Sequence, residues 1–232
     1  DARISLDAVE SVVTASVDLF DGLTASNIAV TEVVGAVMRP ETRIAADGLC
    51  AAIHAVCQLR AEAYETVLVV AHGKASASTN HQALSAWAVD PVYLQPLGFE
   101  FDTAAALSAQ AMAAQEPGAL GRWERLGMRH AARAASASTG AAIAASAPKI
   151  RALPTPLTSA MVAPAADAAY AVVLRRVADR VDPGALSGST PSIALTGVGW
   201  DLAAHELGER DLTKWEGLGR ACSRAYADGG VR

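Results

Sequence analysis

The chain has 232 residues, 52% of them hydrophobic and only 5% aromatic, with a net charge of −5. That length holds one domain and part of a second, and scattered arginines in an acidic chain exclude a nucleic-acid groove, which needs concentrated Lys and Arg. No apolar run approaches the ~18 residues of a membrane span and no signal peptide is visible, so a cytoplasmic protein without a membrane span is expected.

Cys50, Cys57 and Cys222 are an odd number without paired spacing. They read as reduced, mostly buried thiols. The five histidines are dispersed, and none has a metal-site spacing.

Leu6 to Ser16 alternates loosely around Val9, Val12 and Val13, and its second half reads as a strand. Ile28, Val30, Val33, Val34 and Val37 recur closer to a helical period, with Thr24 or Ser26 placed to cap the start. Pro40 marks a turn, and Thr42 to Ala45 reads as a short strand. Asp47 is a good N-cap for the clearest helix, in which Leu49, Ile53, Val56 and Leu59 recur at steps of three and four. The run "VLVVA" (67–71) reads as a parallel strand buried on both faces. Residues 42–71 are therefore expected to form a strand–helix–strand unit.

Residues 76–100 read as irregular. Helices are expected over 103–115 and 122–144, the second with Arg122, Arg125, Arg129 and Arg133 as a solvated face. Pro148, Pro154 and Pro156 bound a loop, and "AAYAVVLRR" reads as a buried strand with Asp167 at its entry. "VDPGALSGSTPS" reads as a surface linker and the best domain boundary. A strand over 192–200 and a helix over about 211–228 follow it.

Four segments in this order resemble the thiolase superfamily, most nearly its lipid-transfer or sterol-carrier-protein-x branch. "TRIAADGLCAAIHAV" is similar to the C-A-S-G-L turn that holds the thiolase nucleophile. "YETVLVVAHGKAS" is similar to the strand ending in G-x-E-K-M-S. "TSAMVAPAADAAYAVVL" is similar to S-x-M, a short loop and D-G-A-A-A-V-V-L. The run from "ALTGVGWD" to "AYADGGV" is similar to the opening of the C-terminal repeat.

The resemblance implies an α/β fold: a layered αβα sandwich with a mixed five-stranded sheet. It divides the chain into an N-terminal thiolase-like domain, 1–182, with a helical loop subdomain at about 76–158, a linker at 183–191, and the start of a C-terminal repeat at 192–232. It also implies acyl-CoA as substrate, with no covalently bound cofactor, and carbon–carbon bond cleavage or formation beside a thioester, as in 3-ketoacyl-CoA thiolases and acetyl-CoA acetyltransferases. A homo- or hetero-oligomer is implied, and a small zinc-ribbon/OB-fold protein that binds acyl-CoA is an expected partner. Family members open with a strand in the middle of the sheet. None is visible before Asp1, so a sheet lacking its centre is expected.

Departures from the family pattern matter most for chemistry. With Gly48 and Leu49 aligned to the family's Gly-Leu, the nucleophile position falls on Ala45 and the family's serine on Asp47. An alanine methyl cannot form an acyl-enzyme. The family's glutamate becomes Gly73, and the glycine after its aspartate becomes Ala168. The later histidine and second cysteine of the family do not occur before Arg232.

Two residues remain as catalytic candidates. Asp47 lies at the old nucleophile site, where it serves either as a general base or simply as a helix cap. His72 follows a buried strand at the edge where α/β proteins place ligands, and serves as an acid–base group or is held by a loop carbonyl. Cys50, one turn into the helix, is read as a small buried side chain before a displaced nucleophile. His81 reads as a loop or dimer-contact residue, and Tyr93 as either a pocket residue or one packed under its proline-rich loop. His54 falls in a helix, and His130 and His205 are expected at the surface. Ordinary thiolysis is not expected of this chain alone. A non-thiolytic retro-aldolase on a steroid-type acyl-CoA and a catalytically silent subunit of a hetero-oligomer are the alternatives.

Overall fold

A run of five residues with no exposed member, Ser11–Ala15, forms the strand β1. Both of its faces are covered, which suits its Val-Val-Thr sequence to a sheet centre. In the computed structural model, which describes residues 4–17, 28–77, 81–87, 89–136, 152–163, 166–177, 193–204 and 206–231, β1 pairs in parallel with β2 (Glu41–Ile44) on one side and β3 (Thr66–Lys74) on the other. An antiparallel strand, β4 (Asp167–Arg175), pairs with β3 along its whole length. The order is β2-β1-β3-β4. The expectation of a sheet without its centre is thus overturned: residues 11–15 are a central strand.

Helix α1 (Ile28–Thr31) is a single turn, and α2 (Gly48–Arg60) links β2 to β3. The strand–helix–strand unit read from residues 42–71 therefore stands. Its packing differs in one respect. The side chains that α2 buries are Ala51, Ala55, Val56 and Leu59, while Leu49 is 70% exposed. Alanines bring the helix close to Val13, Ala15, Val67 and Val69, which form one core with it. The other face of the sheet carries a second core of Val9, Val12 and Ala36, with Leu68 and Val34 against it. Cys50, Cys57 and Cys222 are all exposed, contrary to the expectation of buried thiols. Cys50 and Cys57 lie seven residues apart on α2, away from the stripe that the sheet covers.

Between β3 and β4 lie α3 (His81–Trp87), α4 (Phe101–Gln115) and α5 (Ala119–Ser136). The positive φ of Gly118, +81°, makes the turn from α4 into α5. Residues 81–87 are helical rather than irregular, and His81 opens that helix. The four arginines of α5 are exposed, as its sequence implies.

After residue 192 the structure departs from the sequence reading. Residues 193–200 form no strand. They lie against α6 (Glu216–Gly229), so tightly that a Cβ on Gly197 would sit 2.2 Å from the Ala225 carbonyl oxygen. The same holds at Gly199, where it would sit 2.3 Å from the Ala221 oxygen. These glycines serve backbone-to-helix contact instead of a ladder. The linker at 183–191 and the expected helical residues 137–144 lie outside the described residues. Among those described, no helix is long and apolar enough to cross a membrane.

Candidate functional site

β2 ends at Ile44, and Ala45 and Ala46 carry the chain to Asp47. Asp47 is extended, with φ −73° and ψ 168°, and its Oδ1 accepts hydrogen bonds from the backbone N–H of Leu49 at 2.9 Å and of Cys50 at 3.0 Å. Two donors that a helix start leaves without intrahelical partners are satisfied this way. The carboxylate also stands at the positive end of the helix dipole. The N-cap reading of Asp47 is therefore correct, and the cap occupies the anion-favouring position itself.

Gly48 lets this turn press onto the sheet. A Cβ there would meet the Cβ of Ala71 at 2.6 Å. Ala71 lies in line with Ala15, and Ala15 with Ile44, so Ala45 and the start of α2 sit at the C-terminal ends of the parallel strands. Ligands of open α/β sheets bind at that edge.

Cys50 comes one turn later. Its thiol pKa is raised, first by partial burial, then by the charge of the Asp47 carboxylate and a hydrogen bond to it. Only the thiolate is a strong nucleophile. Asp47 thus works against a reactive cysteine at this helix end.

His72 lies inside β3, not beyond it, because β4 extends the pairing: His72 opposes Ala169, Gly73 opposes Ala168 and Lys74 opposes Asp167. Asp167 continues the clamp by accepting from the backbone N–H of Ser76 at 2.8 Å and from its hydroxyl at 2.6 Å, which holds its own pKa low. Strand side chains alternate between faces. Since Ala71 packs toward Gly48 and α2, the neighbouring His72 belongs to the opposite face. The structure therefore gathers Ala45, Asp47 and Cys50 at one helix start and sets His72 across the sheet from them.

A second feature was not read from the sequence. An open cleft of about 800 Å³ lies between α4 and residues 201–220. Ala104, Ala105, Ala109 and Met112 form its α4 wall, with Trp123 of α5 beside them. Leu157 and Met161 also line it. Trp215 stands on the other wall, its indole Nε1 donating to the Met112 sulfur at 3.4 Å. The turn before Trp215 is built by Asp211, which accepts from the Thr213 N–H at 3.0 Å and hydroxyl at 2.6 Å and pairs with Lys214 at 2.9 Å. Those donors lower the Asp211 pKa to about 2. Neither Asp47 nor His72 lines the cleft, and Tyr93, 75% exposed, does not either. The signal that could have found it is a pair of tryptophans and a pair of methionines, Trp123, Trp215, Met112 and Met161, in a chain so poor in aromatics.

The whole chain superposes on a solved structure, the "Ltp2-ChsH2(DUF35) aldolase", with a TM-score of 0.73 and 17% sequence identity. The chain shares its fold with that aldolase. It covers 100% of its own length in the match but 61% of the other chain. No protein-family model matches the sequence, and no curated protein does. The layered α/β architecture expected from the sequence is the one observed, with four strands among the described residues.

Proposed function

We propose that this chain is the thiolase-like part of an acyl-CoA-processing carbon–carbon lyase that works without a cysteine nucleophile, by retro-aldol cleavage. One observation carries the reading: Ala45 directly follows β2, at the position where the resemblance to thiolases puts the nucleophile, and its methyl offers no thiol. The raised pKa of the Cys50 thiol supports it, as does the shared fold with a protein named an aldolase. Retro-aldol cleavage needs no thiol. A base takes the proton of a β-hydroxyl, the Cα–Cβ bond breaks to give a carbonyl compound and a thioester enolate, and the enolate takes a proton at Cα.

In this reading Asp47 holds the helix and does not transfer protons. The base is either His72, acting from the face of the sheet opposite Ala45, or a residue of a partner chain, and His72→Ala distinguishes them. The test is incubation of the purified chain, alone and with its native partner, with a 3-hydroxyacyl-CoA. The expected products are a carbonyl compound and a shortened acyl-CoA, at a rate independent of added coenzyme A and unchanged by Cys50→Ser. A requirement for coenzyme A, or loss of activity in Cys50→Ser, sinks the reading.

A hetero-oligomer is part of the proposal. The double name of the related aldolase supports it, and so does exposed apolar surface: Leu49 at 70%, Tyr170 at 56% and Val172 at 54%. The partner we propose is a small zinc-ribbon/OB-fold protein that binds acyl-CoA. If the chain binds this partner yet neither gains nor confers activity, it is a catalytically silent subunit.

A further inference from the structure

We propose that the cleft between α4 and residues 201–220 seats an uncharged, apolar body of a small molecule. Its volume of about 800 Å³ falls in the range of small-molecule sites. Its wall on α4 is a floor of alanines, which leaves room for a ligand rather than filling it. Trp123 and Trp215 line it from two different parts of the chain, and Met112 and Met161 add adaptable thioethers. The one indole N–H described at the cleft with a partner, that of Trp215, already donates to Met112. That donor is therefore already engaged within the protein.

The charges argue the same way. Lys214 is held by Asp211 at 2.9 Å, Arg220 by Asp201 at 2.9 Å, and Arg210 Nε donates to the Ala204 carbonyl at 2.5 Å. Each basic group at the cleft is thus engaged by its own neighbours. Glu209 and Glu216 add further negative charge to the lining. A phosphate or carboxylate would face repulsion and would have to break these pairs. An apolar body loses nothing by leaving them intact.

If the lyase reading above holds, this body is the acyl group of the thioester, and the nucleotide part of coenzyme A stays outside the cleft. That identification rests on the lyase reading; the binding of an apolar body does not.

The test uses the full 232-residue chain and calorimetric titration with three probes: a medium-chain primary alcohol, the acyl-CoA of matching length, and coenzyme A alone. Ala105→Phe and Ser108→Phe, both on the α4 wall, fill the cleft, and Arg133→Ala at the exposed end of α5 is the control. Both filling variants are expected to weaken the alcohol and the acyl-CoA by about tenfold or more, and to leave coenzyme A unchanged. Arg133→Ala alters none of the three. If filling abolishes alcohol binding but not acyl-CoA binding, the cleft stands and the acyl identification falls. If the wild-type chain takes up no alcohol, or either folded variant binds it as well as wild type, the proposal is overturned. A brominated alcohol adds a readout that needs neither filling variant. It must quench wild-type tryptophan emission, less so in Trp215→Phe, and equal quenching in both refutes the site.

Discussion

Arg60, at the end of α2, grips Asp228, near the end of α6, with both guanidinium nitrogens, at 3.0 and 2.7 Å from the two carboxylate oxygens. Asp228 also accepts the N–H of Val198 at 2.8 Å. One carboxylate therefore ties the helix under the sheet to the C-terminal helix and to the segment that runs along it. Such a two-pronged pair is geometrically specific even where solvent screens its energy.

The pH dependence of this tie follows from the Asp228 pKa, which is lowered first by the Arg60 hydrogen bonds and then by the Val198 N–H. A carboxyl depressed on folding stabilises the native state above its unfolded pKa of about 3.9. That contribution is lost as pH falls through the lower folded value. Hydrogen exchange of the 216–229 amides should be steady from neutral pH to about pH 4 once corrected for intrinsic rates, and should accelerate below. Asp228→Asn should show the faster exchange already at neutral pH. Unchanged protection in that variant would mean that packing alone holds α6.

The second prediction sets two effects against each other at Gly48. Alanine is the better helix former by about 1 kcal/mol. Its methyl, however, would meet the Ala71 Cβ at 2.6 Å, between a helix and a central strand, and such overpacking costs about 1–3 kcal/mol. The contact wins, so Gly48→Ala should lower stability in urea unfolding. Asp47→Ala should lower it too, by about 1 kcal/mol for the lost cap. A Gly48→Ala protein more stable than wild type would refute this close approach.

This corner was also the most legible in the sequence, because each signal there is local. A capping aspartate, a helical period and a valine run each depend on a few adjacent residues. The centre of the sheet was less legible. Ser11–Ala15 reads as a strand, but its place between β2 and β3 depends on pairing across long separations. Residues 193–200 mislead for a related reason: their β-branched pattern suits a ladder, yet Gly197 and Gly199 commit the backbone to α6. The cleft escaped altogether, since its walls come from residues about a hundred positions apart. His72 was read as following the strand, whereas it lies inside β3 and across the sheet from Asp47, a fact set by alternation once Ala71 packs on Gly48.

The third prediction concerns assembly. β2 is the terminal strand on one side of the described sheet, only four residues long, and its side chains are half-buried. Edge strands present unpaired backbone groups and invite association. Sedimentation of the purified chain should give a mass above that of the monomer, or a shift to a hetero-oligomer when the proposed partner is added. A single monomeric species under both conditions would count against assembly through this edge.

The last prediction concerns Cys50. Thiolysis of a 3-ketoacyl-CoA needs a thiolate aimed at the keto carbon and donors that hold the thioester oxygen. Ala45 supplies no thiol, and Cys50 lies a helical turn away, a displacement of about 5 Å. Errors far smaller than that already cost orders of magnitude in rate. The Asp47 carboxylate, together with partial burial, also keeps the thiol protonated to higher pH than an ordinary cysteine. Intact-mass analysis after mixing the chain with a 3-ketoacyl-CoA should therefore show no acyl adduct at neutral pH. Alkylation of Cys50 by iodoacetamide should be slow there and should quicken as pH rises past the ordinary thiol range. Asp47→Asn keeps a side-chain oxygen for the cap but removes the charge, so it should shift that alkylation profile to lower pH. An acyl adduct on Cys50 that turns over on adding coenzyme A would overturn the assignment of Ala45 to the nucleophile position, and with it the non-thiolytic reading.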